Sequence, residues 1–306
     1  MRIINLVENE IGAAGCEAAH GLSFYVETEN HNFLFDTGGG RSTTAIPLEQ
    51  PNHAACGRAS EASPSELMLR NARMLGVDLS AVDTVILSHG HYDHSGGILP
   101  FAELNPNAKI YMQNNASGKY YAYDGEEKGY RYIGIDNKIL ELPQVQLLHG
   151  DTKLDEEIQI FTVDKRAFPQ PSTNKRLLEL RGGQYIQDDF LHEQNLLLTT
   201  CGKKILFCGC AHNGILNVLE TLERKFGAEN LPDLVLGGFH LMKRTDFSEA
   251  DTAEVTEIAS RLKSYKAHFA TCHCTGLTAF NQMKKIMGEQ LSYVCSGDEV
   301  LVGKRQ

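Results

Sequence analysis

The chain has 306 residues, more than one minimal core needs and enough for one large domain or two similar halves. Its 42% apolar and 22% charged residues exclude a disordered chain. A formal charge of −10 at pH 7 argues against broad capture of nucleic acid; a small anionic substrate stays compatible, because a bound cation inverts the local field. The stretch "MRIINLVENEIG" lacks the apolar core and cleavage site of a secretory signal. No run approaches the roughly eighteen apolar residues of a membrane span. The eight cysteines are therefore expected as reduced thiols, the address as cytoplasmic, and no membrane partner is expected.

In chain order, "MRIINLV", "GLSFYVET" and "HNFLFDTGG" read as strands, the first of them at a sheet edge. Arg41–Ser63 is polar and aperiodic and reads as a long surface loop. A helix should follow, with Ser63 as its cap, Pro64 in the first position, Glu66 completing a capping box and Gly76 ending it. "DTVILSHG" and "AKIYMQ" are strands. Gln113–Asp136 carries five tyrosines among Gly, Asn and Lys and reads as a second long loop, either a lid or binding segment or a surface excursion packed on itself. "VQLLHGD", "EIQIFTVD", "NLLLTTCGKKILFCGC", "DLVLGG" and "HFATCHC" complete the strands. Helices are expected over Gly214–Phe226, Ser248–Tyr265 and Gly276–Met287. Strands that come first and then alternate with helices predict an α/β fold of two packed sheets with helices outside, in two halves of about 1–150 and 151–306.

The densest chemistry lies in "TVILSHGHYDHSGG". The β-branched run before it predicts a buried strand. At a strand end, residues two apart point to one side, so His89 and His91 converge on a point, with Gly90 freeing the backbone to turn. Asp93 and His94 follow in the next turn and aim at a second point close by. Imidazoles with a carboxylate suit a divalent ion, zinc first, with iron or manganese also fitting.

This HxHxDH run after a buried strand resembles the signature of the metallo-β-lactamase-fold superfamily. "FLFDTGG", "NARMLGVDLSAVDTVILSHGHYDHSGGI", "ILFCGCAHNGILNVL", "LVLGGFHL" and "CHCTG" extend the resemblance along nearly the whole chain. The last three are similar to the branch that holds the archaeal-type dihydropterinylmethyl-ribofuranosylaminobenzene-phosphate synthase. The resemblance implies a four-layer αββα sandwich in a single domain, 1–306, with one or two divalent ions. By it, His89 and His91 match ligands of a first site, and Asp93 and His94 ligands of a second. A third histidine for the first site is owed by the second half, either His212 at the exit of "KILFCGC", which is preferred, or His192. His273 is the late histidine, and His268 is expected to pack at the start of its strand. Cys210 stands where the superfamily usually places a bridging aspartate, and it is either a ligand or a buried small residue. A separate thiolate site at Cys272 and Cys274 is disfavoured. Asp36 reads as the acceptor of a ligating histidine's free N–H, with a turn-forming role as rival.

His240, leaving "LVLGGFHL" after two glycines that would allow a ligand's close approach, is a candidate to contact a phosphate or donate a proton, and Asp93 to accept one from bridging water. His20, His31, His53 and His149 are left as structural. The tyrosine-rich segment could stack on a flat heterocycle, and Lys119, Lys128 or Arg131 could meet a phosphate. The reading is an enzyme, hydrolase or pterin-type transferase, acting on a small, phosphorylated or pterin-like molecule through metal-activated water or metal-assisted departure of a leaving group. A nuclease of the same fold and a non-catalytic metal-binding or ligand-sensing module are the alternatives. The sequence leaves the oligomeric state open.

Overall fold

The computed structural model describes residues 1–39 and 63–301. The loop expected over Arg41–Ser63 therefore lies, but for Ser63, outside the described residues, as does His53.

Two large sheets account for most of the strands. The first runs Arg2–Val7, Ser23–Glu27, Asn32–Phe35, Thr84–Ile86, Lys109–Gln113, Val145–Leu148, with Arg2–Val7 at its edge. The second runs Leu291–Tyr293, His268–Thr271, Leu234–Gly237, Lys203–Phe207, Asn195–Thr200, Ile158–Phe161, Thr152–Lys153. The period of two along each strand explains how they stack. In "NFLF", Phe33 and Phe35 point into the core between the sheets, while Leu34 points the other way, under the helices. In "KKILF", Ile205 and Phe207 face that same inter-sheet core and Leu206 faces outward. Phe207 meets the rings of Phe24, Phe33 and Phe35 from the opposing sheet at 5.5–6.1 Å. Burial of such a ring stabilises by about 1.5–3 kcal/mol before the edge-to-face contacts are added.

Outside the first sheet pack the helices Leu67–Met74 and Ile98–Leu104; outside the second, Ile215–Phe226, Glu249–Leu262 and Gly276–Met287. The result is the four-layer αββα arrangement. The capping box expected at Ser63 is not formed. Its hydroxyl pairs with Ser65 instead, and Pro64–Glu66 make a 3-10 turn ahead of the helix. A capping box does form at Ser248, where Asp251 takes the place of Glu and the shorter side chain still reaches back to the cap N–H.

The tyrosine-rich segment differs from its reading as a loop. Tyr120–Tyr123 and Tyr130–Tyr132 form a hairpin within a third sheet, ordered Gln184–Gln187, Leu177–Arg181, Tyr120–Tyr123, Tyr130–Tyr132. Most of its tyrosines pack on one another: Tyr130 stacks on Tyr185 at 3.8 Å, and Tyr121 meets Tyr132 and Tyr185 edge-on. Tyr120 alone of the five is buried, beside His91 and His192. Among the described residues no helix is long and apolar enough to cross a membrane.

Candidate metal centre

Parallel strands from both sheets deliver the chemistry to one end of the sandwich. Asp36 follows Asn32–Phe35, and His89 to His94 follow Thr84–Ile86. Cys210 and His212 follow Lys203–Phe207, His240 follows Leu234–Gly237, and His273 follows His268–Thr271. Segments beyond the carboxyl ends of parallel strands are where such sheets place ligands. The backbone here is strained: Asp36, Ala211, His240 and His273 all have φ between 48° and 61°, the left-handed region that non-glycine residues avoid.

The strand before the cluster ends at Ile86, so His89 and His91 leave from a turn rather than from the strand itself. His91 is extended and opens the short helix Tyr92–Ser95. Gly90 is required for a reason other than turning: a Cβ there would collide with the carbonyl of Ala116. The glycines before His240 likewise admit protein rather than a ligand, since a Cβ on Gly238 would strike the Cys274 sulfur.

The ring partners fix which nitrogens are bare. Ser88 Oγ donates to Asp36 at 2.7 Å, so it accepts from His89 Nδ1 at 2.8 Å, leaving His89 Nε2 without a proton. Asn174 donates to the carbonyl of His212 at 2.7 Å and accepts from its Nδ1 at 3.1 Å. Asn9 holds His273 in the same way, through its carbonyl at 3.0 Å and its Nδ1 at 3.0 Å. Asp36 accepts His94 Nδ1–H at 2.6 Å. His89, His212 and His273 thus present bare Nε2 atoms inward, the tautomer that metal ligation needs, while at His94 the carboxylates of Asp36 and Asp93 outweigh burial and raise the pKa. His89 Nε2 and His212 Nε2 face each other at 3.3 Å, and buried His91 Nε2 and His273 Nε2 have no hydrogen-bond partner. Unpartnered buried nitrogens are costly, and a cation is what this donor set fits.

Ligand atoms of His89, His91 and His212 lie within 4.8 Å of one another, as do those of His89, His94 and Cys210, and those of His20, Asp93 and His273. Around Asp93 Oδ2 stand His20 Nε2 at 3.2 Å, His273 Nε2 at 3.5 Å and His94 Nε2 at 3.8 Å. His20, read from sequence as structural, therefore belongs to the site. Cys210 Sγ sits 3.1 Å from His94 Nε2, at the junction of the clusters, and a further group joins it to His240 and Cys274. His192 is buried rather than at the surface, and it is fully engaged. It accepts from Gly90 N–H at 3.0 Å and donates to Asp188 at 3.1 Å, which leaves it no free lone pair. His268 packs at the start of its strand, bonded to Ser292 at 2.9 Å.

Burial, and then the neighbouring imidazoles, push His89 and His212 well below the ordinary histidine range. Burial foremost holds His91, His240 and His273 at about 3. These rings are neutral at pH 7. Burial opposes ionisation of Asp93, yet His94, His20 and His273 outweigh it and hold the carboxyl well below its usual range. Burial raises the Cys210 thiol, and adjacent Cys274 raises it further.

One structural role escaped the sequence reading. His192, Glu193 and Gln194 clamp three parts of the site in succession: Gly90, then the N–H groups of His212 and Asn213 at 2.5 and 2.9 Å, then Ser88 and Leu87. A cleft of about 1170 Å³ opens at the other end of the second sheet, by Lys203, Asp233 and Tyr265, and holds none of these groups.

Residues 17–222 match the family described as the metallo-beta-lactamase superfamily. Two proteins of Methanocaldococcus jannaschii are similar along most of the chain. An uncharacterised protein is 26% identical over 88% of this chain and 89% of its own length. The 7,8-dihydropterin-6-methyl-4-(beta-D-ribofuranosyl)-aminobenzene-5'-phosphate synthase is 27% identical over 91% and 88%. A crystal structure described as a metal-dependent hydrolase of the beta-lactamase superfamily superposes with a TM-score of 0.76, 25% identity and coverage of 99% of this chain and all of that one.

Proposed function

The chain belongs to the metallo-beta-lactamase superfamily, and from that premise we propose that it is a metal-dependent enzyme acting on a small phosphorylated or pterin-like molecule by assisting departure of an anionic leaving group. The observation that carries the reading is the set of inward-facing nitrogens: the bare Nε2 atoms of His89, His212 and His273 and the buried, unpartnered Nε2 of His91, with His94 Nε2 beside Asp93 and Cys210. His89, His91 and His212 would hold one ion. Asp93, His94 and His273, with Cys210 between the two groups and His20 beside them, would hold a second. Zinc suits the mixed nitrogen, oxygen and sulfur donors. When bound, such an ion supplies positive charge and Lewis acidity against the oxygen atoms of a substrate or its leaving group.

The chain's own groups have separable tasks. Asp93, whose carboxyl is held well below its usual range, would act as an anionic ligand rather than a proton store. Asp36 orients His94 and, through Ser88, His89. His240, neutral and with a buried Nδ1 that has no partner, lies with its ring 4.1 Å from that of His212; it would contact an oxygen of the substrate. The dihydropterin-linked synthase among its relatives supports the substrate class. A small substrate, a cytoplasmic address and the absence of a nucleic-acid partner belong to the same proposal, the last supported by the acidic balance.

The test is metal analysis of protein purified without chelator, paired with turnover of phosphoesters, lactones and dihydropterin diphosphates. One or two divalent ions per chain and turnover of a phosphorylated member of the panel are expected, both lost in His91→Ala. Full activity in that variant, or metal-loaded protein that turns over none of the panel, overturns the reading.

A further inference from the structure

Asp124 gathers three arginines. Arg131 Nε stands 2.7 Å from its carboxylate, Arg176 bonds it directly, and Arg244 lies 3.6 Å away. They come from separate stretches: the hairpin strand Tyr130–Tyr132, the 3-10 turn Ser172–Arg176, and the loop after His240. Three positive charges against one negative leave two unmatched, in a chain whose net charge is −10. Among the described residues Asp124 is the one carboxylate within ion-pair distance of any of the three. A purely structural network would be expected to balance its charges, because like charges brought together cost energy. Burial first, and then Arg244 and Arg131, push Arg176 below its ordinary range, while at Arg131 the bonded Asp124 outweighs burial and raises it, so the single carboxylate serves Arg131 and leaves Arg176 facing like charge.

The cluster lies beside the histidine site. Ile133, two residues from Arg131, accepts the N–H of Tyr92, and Gly134 bridges to His91. Arg176 is two residues from Asn174, which holds His212, and is near enough to His240 to help lower its pKa. Guanidiniums offer paired N–H donors that match phosphate oxygens, and two unmatched positive charges match a dianion.

We propose that Arg131, Arg176 and Arg244, organised by Asp124, form the seat for the phosphoryl or diphosphoryl group of the substrate. The assignment rests on the reading of the histidine cluster as the catalytic metal centre, whose reacting atoms this seat would orient. It makes Asp124 a positioning residue that keeps three mutually repelling side chains in one place.

The probe is inorganic phosphate, and separately pyrophosphate, titrated calorimetrically into the full chain after chelator treatment, so that no metal competes for the anion. Wild type should bind, more weakly as salt rises. Arg176→Ala and the half-exposed Arg244→Ala should each weaken binding at least tenfold, with partial rescue by Arg244→Lys. Lys153→Ala, at an exposed ion pair with Glu156 outside both clusters, should bind phosphate as wild type does. Failure of wild type to bind, or unchanged binding in both alanine variants, overturns the seat. Turnover separates the two readings. Phosphate binding lost in the arginine variants, with no panel substrate consumed by metal-loaded wild type, keeps the seat and removes the enzyme. Turnover with an unchanged KM in both arginine variants keeps the enzyme and removes the seat.

Discussion

His89 Nε2 and His212 Nε2 lie 3.3 Å apart, each with its proton held on the far side of its ring by Ser88 and Asn174. Two lone pairs facing each other in a buried space repel unless something positive lies between them. His192, nearer in sequence to a strand of the same sheet, carries the opposite tautomer and has both nitrogens engaged. His212→Ala should therefore lose one ion per chain by elemental analysis. His192→Ala should keep its metal but unfold more easily, by about 1–3 kcal/mol for the unpaired Asp188 and Gly90 groups left behind. Equal metal content in wild type and His212→Ala would remove His212 from the site.

Asp36 touches no ligand atom that faces the centre, yet it takes the protons of Ser88 and His94 at 2.7 and 2.6 Å. Asp36→Asn keeps the volume and removes the charge that fixes the His94 tautomer. Metal affinity, measured by competition with a chromophoric chelator, should fall about 10–100-fold, the usual effect of altering such a partner. An affinity within twofold of wild type would leave Asp36 only its turn-forming role.

The local part of this architecture could be read from the residues themselves, the distant His212 and His273 only through the family resemblance, and the remaining non-local contacts not at all. "HGHYDH" after "TVIL" marks a strand exit and a histidine cluster, because both signals lie within fourteen residues. His20 gave no such sign: its partner Asp93 is reached only when the loop before Ser23–Glu27 folds over the helix Tyr92–Ser95. Asn9 and Asn174 were equally silent, since any asparagine can serve a loop and only the fold brings each to the two polar atoms of one histidine. The tyrosine hairpin was misread for the same reason. Its strand Tyr120–Tyr123 pairs with Leu177–Arg181, so its register is set from outside its own sequence.

His31 lies between Asp83 at 3.2 Å and Asp155 at 2.7 Å, away from the histidine cluster. Burial opposes its charge, but the two carboxylates outweigh it and raise its pKa. A raised histidine stabilises fully below its unfolded pKa of about 6.5, and the gain fades as pH climbs through the higher folded value. His31→Gln should melt on the order of 1–2 °C below wild type near pH 5.5 and level with it near pH 9. An equal gap at both pH values, read by calorimetry, would assign the loss to packing instead.

Cys210 offers the sharpest test of metal choice. Its sulfur stands 3.1 Å from His94 Nε2 and within 4.8 Å of a His89 nitrogen, at the position that joins the ligand groups. Burial and Cys274 raise its thiol, so in the free protein the sulfur keeps its proton, which His94 Nε2 is placed to accept. A divalent ion must displace that proton, and soft ions do so most readily. Cys210→Asp supplies an anionic oxygen without the proton to displace, and it should shift bound metal from zinc towards manganese or iron in protein loaded with equal amounts of each. Cys210→Ser, which supplies a neutral oxygen, should weaken zinc binding about tenfold or more while retaining the fold by circular dichroism. Zinc selectivity and affinity unchanged in both variants would show that Cys210 is a buried small residue and that histidines and Asp93 hold the ions alone.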